Sequence, residues 1–170
     1  MFRIAPIAAA VALLCGTSAF AQDSAATATL MDQSGTTLGT LQLMDMDGGV
    51  HISGELTGVP NGDHGFHIHT TGTCDAAAKF ESAGGHFEPG THKHGKDNPE
   101  GPHAGDLMNI TADDDGKASV DLMNANVTIE QLNDADGAAL VLHADADDYK
   151  TDPSGNSCDR FACAVIEFAQ

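Results

Sequence analysis

Val50-His51-Ile52-Ser53-Gly54-Glu55-Leu56 alternates apolar and polar side chains with a period of two. That is the pattern of a strand with one face in a core and the other towards water. The same reading applies to Ala28–Met31, Thr37–Met44, Phe66–His69, Ala118–Leu122, Val127–Ile129, Ala139–His143 and Cys163–Phe168. Clusters of Gly, Pro, Asn and Asp separate these segments, among them Pro60-Asn61-Gly62-Asp63 and Asp113-Asp114-Asp115-Gly116. The aspartate run lacks the full pattern of a calcium loop and reads as a turn. No long segment keeps a helical period, and no internal repeat is visible. About eight short strands joined by turns predict an all-β domain, an antiparallel sandwich or barrel.

One stretch departs from the pattern. Thr70 to Gly105 holds no convincing strand, yet it is dense in histidine, glycine and proline. A loop of that length inside a compact domain is functional or disordered. Its histidines and Cys74 argue that it is tied down.

The chain has 170 residues, enough for one domain after processing. Its start reads as a secretory signal: Arg3, then the mostly apolar Ile4 to Cys15, then the small-x-small triplet Ala19-Phe20-Ala21. A cut after Ala21 gives a signal peptide of residues 1–21 and a single mature domain of residues 22–170. The rival reading, a lipid anchor at Cys15, needs a small residue before the cysteine, and Leu14 is not small. Nothing later is apolar enough to span a bilayer. Export to the periplasm or the exterior fits the cysteines: Cys74, Cys158 and Cys163 allow one disulfide and leave one thiol. No C-x-x-C pair is present, which argues against thiol-ligated zinc and thioredoxin-type chemistry. The net charge of −18 argues against nucleic acid as a partner and favours metal cations. It also opposes any anionic substrate.

His67 and His69 lie two apart on a predicted strand, so both imidazoles point to one side while Phe66 and Ile68 face the core. His86, His94, His103 and Asp106 follow in the long loop, and His143 closes the apolar strand Ala139–His143. Imidazole suits zinc and copper, and a mixed nitrogen and oxygen set suits tetrahedral zinc. Seven ligands serve two four-coordinate metals only if one is shared, and an imidazole can bridge through both ring nitrogens.

Five ordered motifs carry a resemblance. Gly65-Phe66-His67-Ile68-His69, Ser82-Ala83-Gly84-Gly85-His86-Phe87-Glu88-Pro89, Pro102-His103-Ala104-Gly105-Asp106-Leu107, Leu142-His143-Ala144-Asp145-Ala146-Asp147-Asp148 and Arg160-Phe161-Ala162-Cys163-Ala164-Val165-Ile166 resemble the copper–zinc superoxide dismutase family in its bacterial secreted form. The resemblance implies an eight-stranded antiparallel Greek-key β-barrel with long metal-binding and channel loops. It implies copper at His67, His69, His86 and His143, and zinc at His86, His94, His103 and Asp106. It implies disproportionation of superoxide to oxygen and hydrogen peroxide, with His86 as bridge and proton carrier. Asp147 matches the carboxylate that holds the outer nitrogens of a copper ligand and a zinc ligand. Arg160 matches the cation that flanks the copper channel and draws in the anion. Cys74 and Cys163 match the family's disulfide. Cys158 departs from it, standing where Gly155-Asn156-Ser157-Cys158-Asp159-Arg160 resembles a stretch with glycine at that place; it is read as an inert or partly oxidised thiol.

The remaining candidates have plainer readings. Lys79, Lys93 and Lys96 steer substrate or simply face solvent. His64 reads as a hydrogen-bonded structural residue, His51 as a surface residue on its strand, and His92 as a neighbour of the ligand His94. Asn109-Ile110-Thr111 and Asn126-Val127-Thr128 are formal glycosylation acceptors, read as chance. The family includes monomers and homodimers. The alternative function is an exported copper- or zinc-binding or storage protein of the same fold without turnover; Arg160, Asp147 and the full ligand set favour the enzyme. A structural sandwich with scattered histidines does not account for five ordered motifs.

Overall fold

The computed structural model describes residues 25–169. The expected signal peptide, residues 1–21, lies outside them. The described residues form nine strands: β1 (Ala26–Asp32), β2 (Thr37–Met46), β3 (Gly49–Thr57), β4 (Gly62–His64), β5 (Phe66–His69), β6 (Ile110–Ala112), β7 (Lys117–Asn124), β8 (Ala139–His143) and β9 (Arg160–Phe168). They make one antiparallel sheet in the order β4-β6-β7-β3-β2-β1-β9-β8-β5.

The two ends of that order, β4 and β5, are consecutive in the chain, with only Gly65 between them. The Gly65 N–H donates to the Asp145 carbonyl at 2.9 Å, and its own carbonyl accepts from the His143 N–H at 2.8 Å. One bent segment therefore pairs with β6 at one end and β8 at the other. The sheet closes on itself through that segment, and the side of β5 that no strand pairs is covered by the long loop. Counted as one strand, β4 and β5 give the expected eight. The pairings β3–β7 and β1–β9 are the Greek-key crossovers. The bend needs a glycine: a Cβ at Gly65 would sit 2.8 Å from the Ser157 Cβ.

Alternation sets the inside. Leu41 and Leu43, Val50 and Ile52, Phe66 and Ile68, and Leu140 and Leu142 are fully buried in the main core. β8 is buried on both faces. Its outer residues Ala139 and Val141 pack with Phe80, Ala83 and Cys163. The long loop thus covers the outside of β8 through two turns of 3₁₀ helix, Ala76–Ala78 and Glu81–Ala83. A Cys74–Cys163 disulfide, with Cα atoms 5.8 Å apart, fixes it to β9.

Three local expectations change. Val127–Ile129 is not a strand: the Thr128 hydroxyl accepts from the Gln131 N–H and starts a short helix, α1 (Ile129–Leu132), that buries Leu132. The Thr-x-x-Gln capping box was present in the sequence. β4 and β6 are too short, at three residues each, to display alternation. Gly62 and Asp63 therefore belong to β4 rather than to a turn, and β9 starts at Arg160 rather than at Cys163.

The disulfide spans 89 residues, so replacing both cysteines by serine should lower stability by roughly 4 kcal/mol in the chain-entropy account. The thermal midpoint should fall and proteolysis within residues 70–105 should rise. An unchanged midpoint would contradict the anchoring role.

Candidate metal centre

Phe66 and Ile68 fill the core, so His67 and His69 project from the outer face of β5, beneath the loop. Val141 and His143 share that face on the paired β8. A register shift between Leu142 and His143 sets His143 opposite Arg160. The loop lies along the free side of β5: the Ile68 N–H donates to the Gly105 carbonyl at 2.9 Å, and the Phe87 N–H donates to the Ile68 carbonyl at 2.8 Å. Those bonds bring His86 beside His69 and Asp106 beside His67. The approach is too close for a side chain, since a Cβ at Gly105 would lie 2.3 Å from the Ile68 carbonyl oxygen.

All seven expected residues come together, in two overlapping groups. His67, His69, His86 and His143 each place one ligand atom within 4.8 Å of the others. In this group His67 Nδ1, His69 Nε2, His86 Nε2 and His143 Nε2 are buried and lack any hydrogen-bond partner. The second group centres on Asp106 Oδ1, which lies 2.8 Å from His86 Nδ1, 3.0 Å from His94 Nδ1 and 3.4 Å from His103 Nδ1. His103 is its loosest member; the four residues there whose ligand atoms all lie within 4.8 Å of one another include His67 in its place. His86 presents one ring nitrogen to each group. Asp147 joins them from outside, with Oδ2 2.7 Å from His67 Nε2 and Oδ1 3.0 Å from His94 Nε2.

Burial and charge tune these groups. Burial keeps the imidazoles uncharged: it lowers His67 and takes His69 well below the usual range. It takes His86 to about 4 against the pull of Asp106. Burial, with His67 nearby, takes His143 to about 3. At His94 burial is outweighed by the hydrogen bonds to Asp106 and Asp147, and the ring is raised to about 9. Burial also opposes charge on Asp106 and Asp147, yet hydrogen bonds from the histidines hold both carboxyls well below their ordinary range. An unpaired buried polar atom costs about 1–3 kcal/mol. Several orphaned ring nitrogens facing one point are therefore a costly arrangement for a fold alone and a natural one for a cation.

A cleft of about 430 Å³ reaches this centre, lined by His69, His86, His143, Glu81, Cys158 and Arg160 among others. The Arg160 guanidinium donates to the Phe80 and Gly84 carbonyls, each at 2.6 Å, and lies 3.6 Å from the Glu81 carboxylate. None of Lys79, Lys93 and Lys96 lines the cleft. Lys93 pairs with Asp152 at 3.2 Å, and Lys96 pairs with Asp97 and sits 4.3 Å over the Tyr149 ring. Cys158 is an exposed free thiol with φ +60°, a backbone conformation that favours glycine. His64 is buried with its ring nitrogens on the His143 and Pro60 carbonyls. His92 is exposed and pairs with Glu88, away from the centre.

Sequence reasoning missed two supports. Glu88 accepts from the Ala104 and Gly90 N–H groups and braces the loop. The Asn109 side chain accepts from the Asp147 N–H and donates to its carbonyl, which fixes the bridging carboxylate. Glu88 lies within one of the five motifs and Asn109 within a formal glycosylation acceptor, and neither pattern points to these contacts.

Known proteins match this architecture. The family of copper/zinc superoxide dismutases (SODC) matches residues 37–166. Superoxide dismutase (Cu-Zn) 2 of Aquifex aeolicus (strain VF5) is 44% identical over 160 residues, which cover 91% of this chain and 93% of that protein. A SOD-like protein from Bacillus subtilis, of known crystal structure, superposes with a TM-score of 0.74 at 37% identity, covering 82% of this chain and 96% of that one. The Cu/Zn superoxide dismutase from Brucella abortus gives a TM-score of 0.69 at 30% identity, covering 83% of this chain and 98% of that one. The fold, the two overlapping ligand groups and these matches make the chain a member of the copper/zinc superoxide dismutase family.

Proposed function

We propose that the protein disproportionates superoxide to oxygen and hydrogen peroxide. His67, His69, His86 and His143 would hold copper, and His86, His94, His103 and Asp106 would hold zinc, one of each per chain. The donor set fits: the first group offers four bare imidazole nitrogens, and the second mixes imidazole with a carboxylate, as zinc takes it. The single observation that carries the reading is the set of four buried, unpartnered ring nitrogens, those of His69, His86 and His143 at the floor of an open cleft and that of His67 behind them. When bound, copper supplies a one-electron couple and zinc supplies charge without redox chemistry.

The chain's own groups do the rest. Peroxide formation consumes protons, and His86 Nε2, at the cleft, is placed to hold one and give it up while Nδ1 stays with Asp106. Asp147 fixes the orientation of His67 and His94 through their outer nitrogens. Arg160, held by two backbone carbonyls, presents its charge at the cleft and draws in the anion that a net charge of −18 would repel.

The same reading places the mature domain, residues 22–170, outside the cytoplasm after removal of residues 1–21, in the periplasm or the exterior. The Cys74–Cys163 disulfide supports an oxidising compartment. Among the described residues no helix is long and apolar enough to cross a membrane.

Pulse radiolysis of the protein reconstituted with copper and zinc should show fast second-order decay of superoxide. A rate no better than that of the zinc-only protein would leave a metal-binding protein without turnover. His143→Ala should abolish turnover and keep most of the zinc. Arg160→Gln should lower kcat/KM by about tenfold and flatten its dependence on salt; an unaltered rate would remove Arg160 from substrate capture.

The raised His94 gives a pH prediction for the metal-free protein. Its stabilising contribution is complete below the ordinary value of 6.5 and is lost as pH climbs through about 9. The thermal midpoint of the metal-free form should therefore fall across that window, while the zinc-loaded form, whose His94 is already deprotonated, should not follow it. Zinc uptake at pH 7 should release about one proton from this ring, measurable by calorimetry in buffers of different ionisation enthalpy. Uptake without proton release would contradict the assignment.

A further inference from the structure

The outer face of β2, β3 and β7 holds a set of soft donors. β2, β3 and β7 are neighbours in the sheet, and their register sets Met44 opposite His51 and His51 opposite Met123. Leu43, Val50, Ile52 and Val120 point into the core, so alternation puts Met44, His51 and Met123 together on the outer face. Directly opposed side chains start about 5 Å apart at Cβ. Two thioethers are thus within reach of one imidazole. Met46 lies two residues beyond Met44 on the same face and diagonal to His51, through its own partner Gly49. Met46 and Met123 are 47% and 49% exposed, so little else in the fold packs over them.

The ring is prepared for a ligand. His51 Nε2 lies 2.7 Å from Asp121 Oδ1. A carboxylate only accepts, so in the neutral ring Nε2 carries the proton and Nδ1 the lone pair. Nδ1 is buried and has no hydrogen-bond partner. A carboxylate on one nitrogen and a bare lone pair on the other is the arrangement that orients histidines towards metals. The donor type selects the cation: thioether sulfur with imidazole suits a soft, monovalent ion and is a poor match for zinc, calcium or magnesium.

We propose that Met44, His51 and Met123 form a Cu(I) site on the outer face of β2, β3 and β7, with Met46 as a further thioether and Asp121 as the positioning residue. None of the seven residues of the clustered centre lies on these strands, so the site stands whether or not that centre turns over superoxide. It would hold copper in its reduced state on the protein surface, where Met123 shares a second cleft with Asp106 and Asp147.

The test uses the copper- and zinc-loaded protein, reduced with ascorbate under nitrogen, carrying Cys158→Ser so that the exposed thiol cannot contribute. Titration with Cu(I) against a competing chelator should find one additional Cu(I) per chain, with sulfur neighbours in its X-ray absorption spectrum. Met44→Leu/Met123→Leu, a volume-conserving change, should lose that ion. Asp121→Asn should weaken it about 10–100-fold. In the otherwise unchanged protein, Ag(I) as a redox-inert probe should shift the methyl resonances of Met44 and Met123. No additional Cu(I), an additional ion that survives the double methionine change undiminished, or methyl resonances that ignore Ag(I) would each overturn the proposal.

Discussion

The backbone of Ile68 is the hinge on which the centre depends. Its side chain is fully buried in the barrel core, and its N–H and C=O hold Gly105 and Phe87. Barrel and loop are joined at one residue by two main-chain bonds, flanked by His67 and His69. The loop cannot shift along β5 without breaking that pairing and displacing His86 and Asp106 together. Closure of the sheet through Gly65 serves the same end, because it fixes β5 against β8 and so sets His67 and His69 near His143. The barrel acts as a rigid support, and the chemistry sits on its outside, between the sheet and a loop that borrows the sheet's hydrogen bonds.

That placement explains how so many polar groups can be buried. Two carboxylates and five imidazoles are packed where water is nearly excluded, an arrangement that is expensive unless each charge is paired. Asp106 and Asp147 are paired through the histidines they touch, and Asn109 and the Tyr149 N–H complete the shell of Asp147. The nitrogens left over are those that face inward. The fold satisfies everything around the centre and leaves the centre itself unsatisfied, which is how a site pre-organised for cations differs from an ordinary polar core.

The strands and the clustered residues were legible for different reasons. Alternation revealed the longer strands because each has a dry face and a wet face. It failed at Val127–Ile129, where a side-chain cap took over, and at β4 and β6, which are too short to carry a period. His67 and His69 were legible through strand spacing, and the loop residues of the cluster only through ordered motifs, since nothing local tells His94 from His92. Burial does: His94 lies inside, between Asp106 and Asp147, while His92 lies outside on Glu88. Glu88 and Asn109 were illegible because they act through main-chain groups that only the folded loop brings near.

The last tension is electrostatic. A chain of net charge −18 should repel a small anion. At physiological salt, fields fade over about 8 Å, so carboxylates scattered over the barrel count for little at the cleft floor. What counts is local, and there Glu81 and Asp159 line the same cleft as Arg160 and offset part of its charge. Arg160 by itself therefore makes a modest attractor. With both metals bound, two divalent cations would exceed the combined charge of Asp106 and Asp147, so the loaded centre would be the stronger attractor. Attraction of substrate would then depend on metal occupancy as well as on Arg160, which makes the acidity of the rest of the surface compatible with an anionic substrate.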